Sequence, residues 1–515
     1  MRKSTKEQSH IGNADRFPAP AYAESVLAPA FALGQRHHLG HLLQLHRAHG
    51  VMLAEQSLLN AEEIAAILVA LDSIEAELTA HAEPEAYTGE FEDMFFYVER
   101  LLSDRVGPDT AGRLHTGRSR NDIDHTLFKL ALLERLDHLT IRLLDVVATL
   151  IRRSREEAGT LILAYTHGQP AQPSTYGHYL GAQTEALLRD ATRLMQARDV
   201  VDLCTMGAAA ITTTGFPLNR ARMAELLGFR DFLRNSYGCI ASSDYTAGVY
   251  AAIKVMALDL GRFAQDMAFW TAFEVGQLRF SDGYVQISSI MPQKRNPVPV
   301  EHLRLMSSLC MGKCDAVLTA LHNTPFTDMN DNEHEVHTQG YEAFAMAERI
   351  LTLLDGVLSS AKIDEARARA NIDASYATIT ELADTIVREE RLPFSVAHHI
   401  AGNLARHLQK SGETLSTVSY ETFSRIFAEQ AGQAPALSET MFRHVVTPEH
   451  FIAVRTLPGG PAPEAMADSL AIYAAQEAEA RNLVEDRRTR ATRARQGLRA
   501  EIDRHTRAAT TTGKM

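Results

Sequence analysis

Three short segments of the sequence place glycine or proline beside side chains that could bind or activate a small molecule. Residues 115–122 (HTGRSRND) combine two arginines with Ser119 and Asn121, immediately before a long helical pattern. Guanidinium groups match carboxylates through paired hydrogen bonds, and the free N–H groups at the start of a helix also favour anions. The segment predicts a carboxylate-binding site that includes Arg120; the alternative is a helix cap with exposed arginines.

The second segment, residues 165–173 (YTHGQPAQP), lies at a junction between two helical patterns. A junction between helices does not require a histidine, a threonine and two glutamines side by side. An unperturbed histidine titrates near neutrality, so His167, beside Thr166, could act as a general acid or base. The alternative is a solvated loop histidine.

The third segment, residues 286–297 (QISSIMPQKRNP), is a proline-bounded loop that interrupts helical periodicity on both sides. It carries Ser288, Ser289, Lys294 and Asn296 but no G-x-S-x-G elbow. A serine acting as a base would need its alkoxide stabilised by a cation and by backbone amides, and Lys294 supplies such a cation. The alternative is an ordinary loop with a basic tip.

Long helices must position these segments, because apolar residues recur at spacings of three and four between them. Such patterns cover residues 124–155, 176–198, 244–280, 298–321 and 335–354. The pattern in the first range consists of Leu132, Leu136, Leu139, Leu143, Val147 and Leu150. Five long helices predict an all-α fold with a long central helical bundle, and no alternating pattern of comparable length indicates strands.

The composition excludes several classes of protein. The chain has 515 residues, 45% of them hydrophobic, and a net charge of −12. Because phosphate binding requires a basic surface, an acidic chain is unsuited to general nucleic-acid binding. The sequence also contains no run of about 18 apolar residues, the length that a membrane-spanning helix requires. Residues 1–25 (MRKSTKEQSHIGNADRFPAPAYAES) lack the apolar stretch of a signal peptide, so we expect a polar tail there and a cytoplasmic protein.

No metal site is expected. The four cysteines fit neither a disulfide framework nor a zinc knuckle. Residues 334–337 (HEVH) differ from the H-E-x-x-H zinc motif, and His37, His38 and His41 lack an obvious set of partner ligands.

We expect three domains: an N-terminal helical domain (residues 1–118), the central bundle (119–362) and a C-terminal helical domain (363–515). The last includes a charged helix over residues 464–507 and a polar tail from residue 508 onward. The alternating charges of that helix indicate a solvated surface, with a contact to another subunit as the alternative.

Taken together, the three segments resemble the three sequence blocks of the aspartase/fumarase superfamily. TGRSRND, T-H-x-Q-x-A-Q-P and MPQKRNP are most similar to the argininosuccinate lyase branch, and residues 207–220 and 392–400 agree with it. The resemblance implies an all-α homotetramer whose active sites each combine segments of three subunits. It also implies elimination of fumarate from an N-substituted aspartate, without a metal or organic cofactor.

The resemblance assigns roles by motif position. Ser288 would be the base that removes a proton from the carbon β to nitrogen, giving an aci-carboxylate intermediate. His167 and Glu301 match the paired histidine and glutamate of the family. The positions that match the binding of the fumarate portion are Ser119, Asn121, Thr166, Lys294 and Asn296, with Arg120 nearby. Ser289 is a further candidate for substrate binding.

Departures from the family pattern concern the amine portion of the substrate. Ile287 stands where a glycine usually precedes the two serines, and residues 92–95 (EDMF) replace E-D-x-H. Pro325, Asn330 and Glu333 stand where argininosuccinate lyases place a Tyr, a Gln and a Lys against the arginine portion. The residues at the fumarate-binding positions thus agree with the family pattern, whereas the residues at the positions that contact the amine portion differ from it.

We therefore expect a carbon–nitrogen lyase of the argininosuccinate lyase type, acting on a small-molecule substrate whose amine need not be arginine. Argininosuccinate is the first candidate. An aminopolycarboxylate such as ethylenediamine-N,N'-disuccinate is the alternative within the branch. A non-catalytic, crystallin-like structural protein is the alternative of another class, and the presence of Ser288 and His167 argues against it.

Overall fold

The computed structural model describes residues 17–80 and 86–512, with side chains as far as residue 507. The polar tail expected at the start of the chain therefore lies outside the described residues for its first sixteen positions. The described part is built almost entirely of helices, which confirms the all-α prediction.

A bundle of long helices forms the centre of the molecule. Its five members are α7 (Arg120–Glu156), α8 (Tyr176–Val201), α11 (Asp244–Thr271), α12 (Val298–Leu321) and α13 (His334–Ser360). The six apolar residues that share one face of α7 are all fully buried, as their spacing predicts. The predicted long central bundle is confirmed.

Polar contacts along the bundle show how its helices run. His138 of α7 lies 2.9 Å from Glu348 of α13, and further along both helices Thr149 donates to Asp355 over 2.6 Å, so α7 and α13 run in the same direction. Arg304, near the start of α12, donates to Gln265, near the end of α11, over 2.7 Å. α11 and α12 are therefore antiparallel, and the start of α12 lies where α11 ends.

Shorter helices surround the bundle. Before α7 lie α1 (Pro20–Tyr22), α2 (Ala28–His37), α3 (Leu39–Glu55), α4 (Ala61–Ala80), α5 (Met94–Val106) and α6 (Pro108–Arg113), with a π-helical turn at Ala23–Leu27. Within the central region lie α9 (Arg220–Leu227) and α10 (Ser236–Ala241), and 3-10 turns at Asp282–Tyr284 and Asn330–Asn332.

The C-terminal region has a core of its own and a long final helix. Its helices are α14 (Glu365–Ala374), α15 (Ile379–Glu390), α16 (Phe394–Ser411), α17 (Tyr420–Ala431), α18 (Glu439–Val445), α19 (Pro448–Ala453) and α20 (Pro463–Thr512). Fifteen buried apolar residues between Leu382 and Val446 form the separate core. α20 returns to pack against α4, α7 and α8. The domain boundaries after residues 118 and 362 stay predictions.

Strands are short and pair two at a time: β1 (Leu161–Thr166) with β2 (Gln169–Thr175), β3 (Leu203–Cys204) with β4 (Asp231–Phe232), β5 (Leu278–Arg279) with β8 (Lys362–Ile363), and β6 (Gln286–Ile287) with β7 (Arg295–Asn296). The β3–β4 pair is parallel and the other three are antiparallel.

Three expectations about local structure were wrong. The segment around His167 is the β1–β2 hairpin rather than a plain junction between helices. The helix expected over 244–280 ends at Thr271, because its C-cap residue Ala272 adopts an extended backbone conformation, and Leu278 lies in β5 instead. The tail expected from residue 508 is helical as far as Thr512, where α20 ends.

No helix among residues 17–80 and 86–512 combines the length and the apolar character needed to cross a bilayer.

Lys129 is an unusual member of the bundle core, because its side chain is buried in α7. Its exposed fraction is 1%, and its Nζ lies 4.0 Å from the ring centroid of Tyr245 and 3.4 Å from the carbonyl oxygen of Val201. Burial lowers the pKa of Lys129 to about 8, and Asp244 partly offsets the shift. A charged lysine here costs stability at neutral pH, because the unfolded chain holds the proton more tightly.

We expect Lys129→Met to stabilise the protein near pH 7.5, and the advantage over the wild type to shrink by about 2 kcal/mol by pH 9.5. The wild type gains stability over this range because the unfolded state still binds a proton that the folded state has released. Urea unfolding of both proteins at the two pH values measures the difference. An advantage that stays constant with pH would contradict a lowered pKa.

Candidate active site

The start of α7 is organised by Ser119 and Asn121. Ser119 is the N-cap residue, and its side-chain oxygen accepts from the N–H of Asn121 over 3.4 Å. The amide of Asn121 donates to the carbonyl oxygen of Ala210 over 3.0 Å. Both side chains are partly exposed, so this end of the helix presents a hydroxyl, an amide and free N–H groups to a ligand.

Asp122 fixes this arrangement from below, because its fully buried carboxylate accepts from three backbone N–H groups. The donors are Ser119, Gly207 and Ala209, each 2.9 Å away. Burial raises the pKa of Asp122 to about 6, and the three hydrogen bonds oppose that rise. The carboxylate thus joins the start of α7 to the loop that follows β3.

The two arginines of the first segment are already engaged. Arg118 is buried, donates to Nδ1 of His46 over 2.9 Å, and packs against the ring of Phe95, which stands at the histidine position of E-D-x-H. Arg120 forms ion pairs of 2.8 Å with both Glu92 and Asp93. Neither guanidinium is free to neutralise a dicarboxylate alone.

The second segment forms the tip of the β1–β2 hairpin. His167 and Gly168 both have positive φ, 54° and 72°, as a two-residue turn between twisted strands requires. Thr166 and His167 are exposed, and His167 borders a cavity of about 670 Å³ lined by Tyr165 and Trp270. The turn therefore presents the imidazole at the surface of the subunit.

Gln277 holds the hairpin against the bundle. Its fully buried side-chain amide accepts from the N–H of Leu163 and donates to the carbonyl oxygen of Leu163, both over 3.1 Å. The side-chain amide of Gln277 thus forms the two backbone hydrogen bonds that a neighbouring strand would otherwise form with Leu163. The sequence gives no signal for this contact, because 114 residues separate the partners.

The third segment is an exposed loop closed by the β6–β7 pair. The Oγ of Ser288 accepts from the backbone N–H groups of Ile290 and Met291, over 3.3 and 3.0 Å. Two amide donors directed at one hydroxyl oxygen are the backbone stabilisation that a serine alkoxide needs. Ser289 is exposed beside Ser288.

Lys294 is the free cation of this loop. Its neighbour Arg295 pairs with Asp282 at 2.5 Å and donates to the carbonyl oxygen of Phe280. Lys294 is exposed and forms no ion pair with any described residue. Asn296 lies beside it in β7.

Glu301 occupies the first turn of α12 and is exposed. Within one chain no hydrogen bond joins Glu301 to His167 among the described residues. The carboxylate nevertheless lies at the end of the bundle where the hairpin lies, because Arg304 contacts Gln265 of α11 and Gln265 borders the His167 cavity.

Asn330 and Glu333 lie just before α13, close to the start of α7. Asn330 is exposed, and Glu333 is half-buried near Arg120. Burial raises the pKa of Glu333, and Asp328 adds to the rise while Arg120 opposes it. Carboxylates therefore outnumber cations here.

Within one chain the predicted site residues separate into two groups. α7 lies between them, and its 37 residues span about 55 Å. At the Ser119 end of the bundle lie Ser119, Arg120, Asn121, Asn330 and Glu333. At the hairpin end lie Thr166, His167, Ser288, Ser289, Lys294, Asn296 and Glu301.

Metal chemistry has no obvious location in the described residues. They contain no group of three or more His, Cys, Asp or Glu side chains arranged to hold a metal ion.

Comparison with known proteins decides the family. A family described as lyase matches residues 33–312, and one described as argininosuccinate lyase C-terminal matches residues 376–453. Argininosuccinate lyase 2 of Agrobacterium fabrum is 51% identical over 458 residues, which cover 89% of this chain and 90% of that protein. The chain belongs to the argininosuccinate lyase family.

Further relatives support the family assignment. The argininosuccinate lyase of Methanoculleus marisnigri is 36% identical over 86% of this chain and 87% of its own length. The solved structure of an EDDS lyase variant with bound fumarate is 26% identical, covers 92% of this chain and 93% of its own, and has a TM-score of 0.84. The predicted branch of the aspartase/fumarase superfamily is confirmed, and the protein is a carbon–nitrogen lyase.

The position of the hairpin in this lyase depends on Gln277. We expect Gln277→Ala to lower the free energy of unfolding by about 2–4 kcal/mol, because it leaves the buried N–H and C=O groups of Leu163 without partners. Gln409→Ala, on an exposed face of α16, is the matched control and should change stability by less than about 0.5 kcal/mol. Equal urea midpoints for the two variants would contradict the role of Gln277.

Proposed function

We propose that this lyase eliminates fumarate from an N-substituted aspartate, with Ser288 as the base. The observation that carries the proposal is the pair of backbone N–H groups directed at Ser288 Oγ, in a loop that also holds the unpaired Lys294. Removing the weakly acidic proton beside a carboxylate places charge on that carboxylate as an aci-carboxylate dianion. Stabilisation of that charge by preorganised donors is the largest contribution such a site can make.

The remaining donors suit a dicarboxylate. Ser119, Asn121, Thr166, Ser289 and Asn296 supply neutral hydroxyl and amide donors, and Lys294 supplies the positive charge. Arg120 is held by Glu92 and Asp93, so we assign it to the edge of the site rather than to direct neutralisation of the substrate.

His167 and Glu301 form the proposed acid–base pair. Both are exposed at the hairpin end, and a carboxylate beside an imidazole favours the protonated form of the ring. Since the two side chains make no contact in one chain, we propose that the pair forms between subunits.

A homotetramer would bring the two ends of the bundle together. α11 and α12 pack side by side, and each exposes apolar side chains along its length: Val255, Leu258, Leu305 and Leu309, which are between 37% and 53% exposed. An apolar stripe on two long bundle helices is typical of a surface that packs against copies of the same bundle. Symmetric packing would place the Ser119 end of one subunit beside the hairpin end of another, with three subunits contributing to each site.

The shared site can be tested by mixing two inactive variants. Ser288→Ala and Asn121→Ala, each alone, should lose nearly all fumarate release, because one lacks the base and the other a substrate donor at the opposite end of the bundle. Unfolding and reassembly of a one-to-one mixture should restore about a quarter of the wild-type activity, since random assembly pairs two intact segments at that frequency.

The control for this experiment is a mixture of Ser288→Ala with Lys294→Ala, which lie in the same loop and cannot complement each other. Fumarate release is followed by its ultraviolet absorbance, and light scattering checks that every variant assembles. Activity in the control mixture, or none in the test mixture, would contradict sites shared between the two ends.

The amine portion is proposed to carry positive charge. Around Arg120 lie Glu92, Asp93, Asp124 and Glu333, so carboxylates exceed the single guanidinium. Argininosuccinate, with its guanidinium group, and ethylenediamine-N,N'-disuccinate, with its amine, both fit this field. Argininosuccinate is the first candidate, because the two relatives described above, which match 89% and 86% of this chain, are named argininosuccinate lyases.

Steady-state assays on both compounds distinguish the candidates, and Glu333→Gln tests the role of charge. We expect the variant to raise KM for the preferred substrate by about tenfold or more with a smaller change in kcat, since a charge-assisted contact is worth about 1.5–3 kcal/mol. Glu335→Gln, exposed two residues further along, should leave both constants unchanged. Unchanged KM in Glu333→Gln would exclude Glu333 from the amine pocket.

We also propose a cytoplasmic location. The four cysteines are free and buried in this structure, which suits a reducing compartment.

A further inference from the structure

A second polar groove lies between the N-terminal helices, α7 and the final helix α20, away from both ends of the bundle. It consists of two adjoining cavities of about 450 and 620 Å³. The residues common to both are Arg36, His37, His41, Gln44, Glu134 and Arg495. None of these residues belongs to the proposed active site.

Two arginines of this groove form no ion pair within the described part of the chain. Arg36, at the end of α2, and Arg495, on α20, form no ion pair and no side-chain hydrogen bond with the described residues. Seven other arginines of α20 do form ion pairs: Arg481, Arg487, Arg488, Arg490, Arg499, Arg504 and Arg507. Arg495 is therefore available to a ligand, with Glu134 as the nearby carboxylate: Arg495 helps to lower the pKa of Glu134 but forms no ion pair with it.

Neutral donors and acceptors in the groove are also unsatisfied. The side-chain amide of Gln44 forms no hydrogen bond with the described residues, and Oε1 of Gln35 is buried without a partner. His37 keeps one ring nitrogen engaged, since Nδ1 lies 2.9 Å from the guanidinium of Arg135. An uncharged His37 would present its second N–H to a ligand, and burial together with Arg135 and Arg36 lowers its pKa to about 4.

The carboxylates that face the groove do not cancel its charge. Glu75 is held by Arg47 at 2.7 Å, and Glu134 lies 3.5 Å from His41. The smaller cavity is lined by four arginines against these two carboxylates: Arg36, Arg47, Arg495 and Arg499. Arg47 and Arg499 are both paired with Asp72, so the guanidinium groups that a ligand between α2 and α20 would meet without an ion pair are those of Arg36 and Arg495, on opposing walls.

We propose that this groove binds a small oxyanion with two or more negative charges, whose phosphate or carboxylate groups contact Arg36 and Arg495. Guanidinium groups bind both kinds of oxyanion through paired hydrogen bonds. Such a ligand would connect α2 to α20 and so secure the final helix to the N-terminal region. The site is independent of the proposed function, because it shares no residue with the lyase site.

Calorimetric titration of the full-length enzyme with pyrophosphate and with citrate tests the site, at about 150 mM KCl to screen diffuse attraction. Saturating fumarate is present to occupy the lyase site. We expect one ion bound per chain, and Arg36→Gln and Arg495→Gln should each raise Kd by about tenfold or more. Glu134→Gln should lower Kd, because it removes a repulsive carboxylate.

Arg493→Gln is the matched control. Arg493 is on the same helix, forms no ion pair with the described residues, and does not line the groove. Its replacement should leave Kd unchanged. Binding of pyrophosphate alone would identify a phosphate ligand, and binding of citrate alone a polycarboxylate. The proposal is overturned if neither ion binds, if the groove variants bind as the wild type does, or if Arg493→Gln weakens binding equally.

Discussion

The length of the central helices constrains everything else in this molecule. α7 remains one uninterrupted helix because a fully buried apolar face follows its whole length, and neither Gly nor Pro interrupts it. Polar side chains that must reach a ligand are therefore confined to the segments at the helix ends. The site residues that we propose then fall into two groups about 55 Å apart in each chain. The proposed assembly with other copies would reconcile rigid helices with a compact site.

Local pairing of charge decides which cations can act on a substrate. The net charge of −12 does not determine the electrostatic potential at the site, because that potential depends mainly on the charged side chains of the nearby loops. Arg118 is buried against His46, Arg120 is held by two carboxylates, and Arg295 is paired with Asp282. Lys294 is left without an ion pair in the described structure. Positive charge is thus concentrated beside Ser288, where the developing dianion would need it.

Much of this could be predicted from the sequence, because helical periodicity and motif spacing are local signals. The buried face of α7 and the cap at Ser119 follow from residues a few positions apart. The β1–β2 hairpin was missed because its support comes from Gln277, far along the chain. The pairing of Arg120 with Glu92 likewise joins distant residues, so a motif alone could not show which arginines remain free. Tertiary contacts decide such details, and a single sequence does not display them.

The separation of the two ends also bears on how such enzymes diversify. Glu333 lies with the start of α7, whereas Ser288 and Lys294 lie beyond the far end of the same helix. If the proposed roles hold, a mutation in residues 325–333 would change which amine is accepted without disturbing the packing of the serine loop. Natural selection could then explore new substrates at one end while the bond-breaking chemistry at the other end is inherited unchanged. A family built on this fold would in that sense be modular.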